Sequence, residues 1–263
     1  FLNRNGLNQI SEVEPPLVCP TAQIVGLEAG MWFPMGIPGD MPGDQRPADA
    51  KSLCFTSEPL AAGMEILGNP EVTVTLSCDQ PNALLAARLC DVAPDGSSLL
   101  VSWGLLNLTH RNGHEHPEPL VPGECFTTTR LNACAHALKT GHRWRLALSP
   151  AHCSHAWPSP ELVTLTVFPG TNTCLSLPMR TARPEDSQLL EFAEPECSPP
   201  LPVDILRTAH RERMVQHEVV EDRFTLTDRN DSGRYRFVQD GLETEDCSCD
   251  TLTMQEGEPL SLR

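Results

Sequence analysis

Basic side chains are scarce in this chain: 19 Lys and Arg stand against 35 Asp and Glu, a formal charge of −16. Such an excess repels phosphate backbones and anionic lipid, which argues against nucleic-acid and membrane roles. Long apolar runs are missing as well. None approaches the ~18 residues of a membrane span, and no basic-then-apolar opening marks a signal peptide. Aromatic residues make up only 5%, thin material for a sugar-binding platform. The 11 cysteines contain no C-x-x-C pair and read as reduced thiols packed as small hydrophobes in a cytoplasmic protein. Cys247 and Cys249, the one close pair, offer two ligands where zinc wants three or four. The G-x-S-x-G pentapeptide that exposes a nucleophilic serine in α/β-hydrolases is absent; Gly96-Ser97-Ser98 and Ser232-Gly233 come nearest and read as hairpin turns. No catalytic residue, metal site or cofactor is therefore expected.

Proline is abundant instead, 25 in 263 residues, about twice the average usage. Each proline inside a helix costs about 3 kcal/mol, so helical bundles and doubly wound α/β folds are disfavoured. From Lys51 onward short β-type runs separated by turns replace them. In Pro70 to Asp79, Val72, Val74, Leu76 and Cys78 alternate with Thr73, Thr75, Ser77 and Asp79, the period of a half-buried strand. Similar runs occur at Leu99–Thr109, Arg143–Ser149 and Leu162–Phe168, separated by turn signals at Pro94-Asp95-Gly96, Pro122-Gly123 and Thr140-Gly141. Ala83 to Val92 suits helix or strand, and its context favours strand. Closely spaced strands with Gly/Pro turns indicate an all-β fold, a jelly-roll β-sandwich with little helix.

Four segments are expected: an irregular N-terminal loop or linker over 1–47, a jelly-roll core over 48–177, a Pro-rich linker or wrapping loop over 178–211, and an acidic β-hairpin segment over 212–263. The hairpin joins runs His217–Thr227 and Arg234–Gln239 through Asp231-Ser232-Gly233, either completing the sandwich or lacking a partner. Candidate metal ligands His114 and His116 fall in a loop and read as a solvated polar turn, and the second cluster, His152 and His155, matters only where the fold brings it near the first. Trp103 and Trp144 sit within strands, where core packing is the default. Trp32 and Trp157 lie in Pro/Gly-rich loops and suit contact surfaces. The loop from Gly26 to Arg46 exposes Met31, Trp32 and Phe33 unless the sandwich or a partner covers them.

Several blocks then fall into a known order: Asp44-Gln45-Arg46, Asp49, Ser52 to Leu60, Ile66 to Pro70, Ala87 to Gly96, Leu106 to Arg111, Gly141-His142-Arg143 and Ala156 to Pro160. Together they resemble the C-terminal non-catalytic domain of the CocE/NonD hydrolases, of the X-Pro dipeptidyl-peptidase and cocaine esterase type. The likeness is firm over about residues 26–170. It implies a jelly roll of the galactose-binding-like type that covers an α/β-hydrolase domain and walls its substrate cleft. That domain, carrying the catalytic Ser, Asp and His, lies upstream in the family and is absent here. By the same resemblance it is the expected partner, in cis in a parent chain or in trans. Met31, Trp32 and Phe33 become cleft- or partner-facing candidates, with Trp157 a further one. Asp44, Gln45 and Arg46 become a structural motif ordering the loop. A free-standing carbohydrate-binding module and an interaction protein seeking a hydrolase in trans are the alternatives. The substrate, whether ester, amide or peptide, is not legible.

Overall fold

The computed structural model describes residues 1–37, 39–121, 125–188 and 192–263; the turn expected at Pro122-Gly123 lies outside them. In chain order the elements are β1 (Leu2–Asn3), β2 (Gly6–Leu7), β3 (Leu17–Pro20), α1 (Arg46–Asp49), β4 (Leu53–Thr56), β5 (Met64–Gly68), β6 (Glu71–Cys78), β7 (Leu84–Val92) and β8 (Ser98–Asn107). They continue with β9 (Cys125–Arg130), β10 (Cys134–Leu138), β11 (Arg143–Ser149), β12 (Thr164–Val167), β13 (Cys174–Ser176), β14 (Val203–Arg207), β15 (His210–Glu218), β16 (Arg223–Phe237) and β17 (Glu243–Gln255). The fold is all-β, and every ladder between these strands is antiparallel.

Two sheets face one another. One runs β4-β11-β7-β8; the other runs β13-β6-β12-β3, with β9 paired to β6. Their inner faces interlock Phe55, Leu85, Ala87, Leu89, Leu146 and Leu148 against Val72, Val74, Leu76, Leu165 and Val167. Strand β6 behaves as its alternation requires, with Val72, Val74 and Leu76 buried and the intervening threonines half-exposed. Strand β7 is buried on both faces, because its outward side chains, Ala86, Arg88 and Cys90, lie beneath further structure. That double burial removes the period-two signal and explains its ambiguity in the sequence.

Residues 1–47 are more ordered than an irregular linker. Strands β1 and β2 pair, Leu2 enters the core, and its amide bonds the Thr173 carbonyl at 3.1 Å. Strand β3 is an edge of the second sheet, paired with β12. Its Leu17-Val18-Cys19 run offers two inward residues, half-buried Leu17 and buried Cys19, too short an alternation to announce a strand. The acidic C-terminal segment also differs from a hairpin. Strand β16 is continuous, with β14 and β15 sharing one edge and β17 along the other. Asp231-Ser232-Gly233 is a bulge inside β16, not a turn. Gly233 has φ +81° and its N–H donates to the Asp231 carboxylate at 2.8 Å; a Cβ there would lie 2.6 Å from the Arg207 carbonyl oxygen. Only glycine fits that close approach.

Candidate functional site

The outer face of the β4-β11-β7-β8 sheet carries Arg88, whose side chain is 1% exposed, and α1 lies over it. Such a charge costs heavily unless it is paired and hydrogen-bonded; Nη1 and Nη2 carry the contacts here, and Nε has no hydrogen-bond partner among the described residues. Asp49 supplies the counter-charge at 3.1 Å and also binds Arg145 at 3.0 Å and the Ser98 hydroxyl at 2.8 Å. Ser52 Oγ accepts from Arg88 at 3.0 Å. Burial pushes the nearby Cys54 and Cys90 thiols up to about 11 and about 12, with the Asp49 carboxylate adding to both. These thiols are not nucleophiles at neutral pH.

Gln45 links this network to the loop above it. Its Oε1 accepts from Arg88 at 3.0 Å, while Nε2 donates to the carbonyls of Glu28 at 2.8 Å and Gly43 at 2.9 Å. Gly43 N–H also donates to the Glu28 carbonyl, so Gln45 closes the base of the 28–43 loop. Asp44 and Arg46 form an exposed ion pair at 2.6 Å, and Asp44 accepts from the amides of Arg46 and Ser98. The hydrogen bonds from the Arg46 side chain and amide hold the Asp44 carboxyl below the usual range.

The loop carries its apolar side chains outward: Trp32 is 62% and Phe33 73% exposed, with Met31, Met35 and Met41 beside them in the chain. Asp40 stiffens it from within. Burial would raise the Asp40 carboxyl, but amides of Ile37, Met35 and Gly36 outweigh that and hold it low. Beneath the loop, Trp32 meets Trp103 edge-on, ring centroids 4.9 Å apart, and His155 at 5.6 Å. Trp103 stacks on His152 at 5.8 Å. Trp103 is therefore not a core residue like Trp144, which packs between the sheets; it lies opposite Arg88 in the β7–β8 register, on the outer face. His152 is 1% exposed; burial, with His155 and Arg88 adding, lowers its pKa to about 3. Burial likewise lowers His155, whose Nε2 lies 3.2 Å from the Gly30 carbonyl.

Met31, Trp32 and Phe33 thus share one tethered loop with Asp44, Gln45 and Arg46 at its base. Trp157 does not join them. It lines a separate pocket of ≈450 Å³ with Asn82, Asn107, Pro158 and Pro160. His114 meets His110 instead of the second histidine cluster, and among the described residues no three His, Cys, Asp or Glu side chains are grouped to hold a metal ion.

The sequence reading missed Asp91, held between His142 at 2.6 Å and His136 at 2.9 Å. His136 and His142 lie 45 and 51 positions from Asp91; β10 ladders with β5, in a different sheet from β7, so packing between sheets brings the group together. The pair resembles the base half of a hydrolytic triad, yet among the described residues no serine or cysteine hydrogen-bonds either imidazole. Asp49, Arg88, Arg145, His152 and His155 were likewise unassigned as contacts, since each partner comes from a different strand or loop.

The profile of the X-Pro dipeptidyl-peptidase C-terminal non-catalytic domain matches residues 21–190. The chain belongs to this family. Among curated relatives, a Mycobacterium bovis protein named as a serine esterase, Mb1866c, is 30% identical over 130 residues, 43% of this chain and 21% of that protein. Cocaine esterase of Rhodococcus sp. is 25% identical over 114 residues, 42% of this chain and 20% of the esterase. The matched part of the chain thus spans about a fifth of the length of these relatives. Solved structures share the fold: an α-amino acid ester hydrolase at TM-score 0.53 and 20% identity, covering 64% of this chain and 33% of that one. A Thaumarchaeota archaeon aminopeptidase matches at TM-score 0.54 and 16% identity, covering 67% and 34%. The match covers only about a fifth to a third of each of these longer proteins.

Proposed function

We propose that this domain has no catalysis of its own and walls the substrate cleft of an α/β-hydrolase domain, joined in cis. The observation that carries this reading is the run Met31, Trp32 and Phe33, exposed on a loop whose base is closed by buried hydrogen bonds. A mobile apolar loop would collapse onto its own surface. A tethered one holds large apolar side chains in water at a standing cost that a covering partner or substrate removes. Asp44, Gln45 and Arg46 serve as its structural base, and Trp157 as a second partner-facing contact. The free thiols among the described residues suit a reducing compartment such as the cytoplasm.

The test begins with the coding region upstream of Phe1. An in-frame G-x-S-x-G segment supports the reading, and an unrelated reading frame contradicts it. With that segment attached, Trp32→Ser and Phe33→Ser raise KM for p-nitrophenyl esters about 10-fold or more and leave folding intact; unchanged kinetics would remove the loop from the cleft.

A second reading rests on the Trp157 pocket, which combines an exposed indole with the amides of Asn82 and Asn107 and no charged residue. That lining suits a neutral sugar ring. Glycan-array binding abolished by Trp157→Ala favours it, and an empty array excludes it.

A further inference from the structure

The C-terminal sheet lies beyond the family match, yet it reaches the loop. In the β15–β16 register Arg213 stands opposite Asp228 and Arg211 opposite Asn230, two residues apart and therefore on one face. Asp228 sits between both guanidinium groups, 3.1 Å from Arg213 and 3.5 Å from Arg211. So fixed, Arg213 Nη2 donates to the Gly30 carbonyl at 3.3 Å and Arg211 Nη2 approaches Met31 Sδ at 2.8 Å. The returning limb of the loop comes equally close, since a Cβ on Gly39 would lie 3.7 Å from Arg213 Cβ. Just past β17, the Glu256 carboxylate accepts from the amides of Gln23 at 2.8 Å and Ile24 at 3.3 Å. The loop is therefore held from two sides: by Gln45 at Glu28 and Gly43, and by the C-terminal sheet at Gly30 and Met31.

We infer that Arg211 and Arg213 are positioning residues that set where Met31, Trp32 and Phe33 stand. A guanidinium suits this task because its rigid fork serves a carboxylate and a carbonyl together, which a lysine ammonium does less well. Gly30 is the pivot. Its φ of +78° turns the chain, and a Cβ there would lie 2.6 Å from the Asp40 carbonyl oxygen, so the backbone carbonyl is what the arginine can grip. Placing the grip immediately before Met31 fixes the direction in which the apolar residues leave the loop. The consequence for a cleft rests on the function proposed above; the clamp itself does not.

Hydrogen–deuterium exchange on the whole chain tests the clamp without a hydrolase domain. Arg213→Ala is expected to speed amide exchange in peptides covering 28–43 about 10-fold, and to weaken the circular-dichroism couplet of the Trp32–Trp103 pair. Peptides of β7 and β11 keep their protection, and Arg213→Lys restores part of the couplet. Should Arg213→Ala unfold the C-terminal sheet, Arg211→Met carries the test, since it keeps apolar bulk beside Met31 and removes the donor. Unchanged exchange in 28–43 in a folded variant, or an equal rise throughout the chain, overturns the inference. In the hydrolase-linked chain, a clamp variant that loosens the loop yet leaves KM unchanged would spare the clamp and refute the cleft reading.

Discussion

The two halves of this molecule use the same antiparallel hydrogen bonding and are held together differently. In the sandwich, apolar side chains fill the space between the sheets, and the outer face of β7 is closed as well, by the Arg88–Asp49–Gln45 network. In the C-terminal sheet, most side chains of β14 and β17 face water. Cross-strand ion pairs such as Arg234–Glu243 and Arg236–Glu243 lie along it, half-exposed. Only Leu226 and Met254 are buried there among its hydrophobic residues. Hydrogen-bonded ladders give both halves their shape, but apolar burial stabilises the sandwich, whose buried charges must stay paired. The C-terminal sheet grips the loop through Arg211 and Arg213, so loop position can be altered by mutation without touching the sandwich core.

The comparison breaks most visibly at Asp49. Asp49→Ala leaves Arg88 and Arg145 facing each other without a counter-charge and is expected to cost about 3–5 kcal/mol, read from urea unfolding; a loss under about 1 kcal/mol would mean the network is dispensable. Core truncation ranks next. Leu89→Ala should cost about 2–5 kcal/mol, whereas Leu226→Ala, beneath a single layer of sheet, should cost about 2 kcal/mol or less and leave the sandwich transition in place. Equal losses at the two sites would erase the distinction between the halves.

Acid sharpens it further. His152 is held neutral with a folded pKa of about 3, while the unfolded chain takes up a proton near 6.5. Between those values the unfolded state binds the extra proton, so stability is full above about pH 6.5 and falls by at most about 1.4 kcal/mol per pH unit below it. His155, also lowered, adds to the same slope. His152→Leu should flatten the dependence measured by denaturation between pH 6.5 and 4.5, and an unaltered slope would mean the imidazole is not buried neutral. The smallest effect belongs to the exposed ladder: Glu243→Gln should leave the sandwich midpoint unchanged at any ionic strength, because surface pairs are screened.

How much of this was legible depended on whether a feature repeats locally. The Val72, Val74, Leu76 alternation announced β6, since a one-sided sheet writes its burial into every second residue. Strand β7 hid its type because its second face is covered by distant chain. The bulge at Asp231 to Gly233 has the composition of a turn; what decides between them is the Arg207 carbonyl beside Gly233 and the register of β17. At the loop, the resemblance singled out Asp44-Gln45-Arg46, but the deeper contacts belong to Gln45 and Asp49, whose partner Arg88 lies some 40 residues on. Arg211 and Arg213 were invisible for the same reason: an alternating pair of arginines in an acidic strand reads as solvated surface until the loop is laid against it.

The proposed function requires that residues 1–263 carry no hydrolytic chemistry of their own. Incubating the purified chain with p-nitrophenyl acetate measures it directly: the account predicts the rate of buffer alone, at any protein concentration. A turnover proportional to protein, and abolished by replacing one serine within residues 1–263, would contradict it.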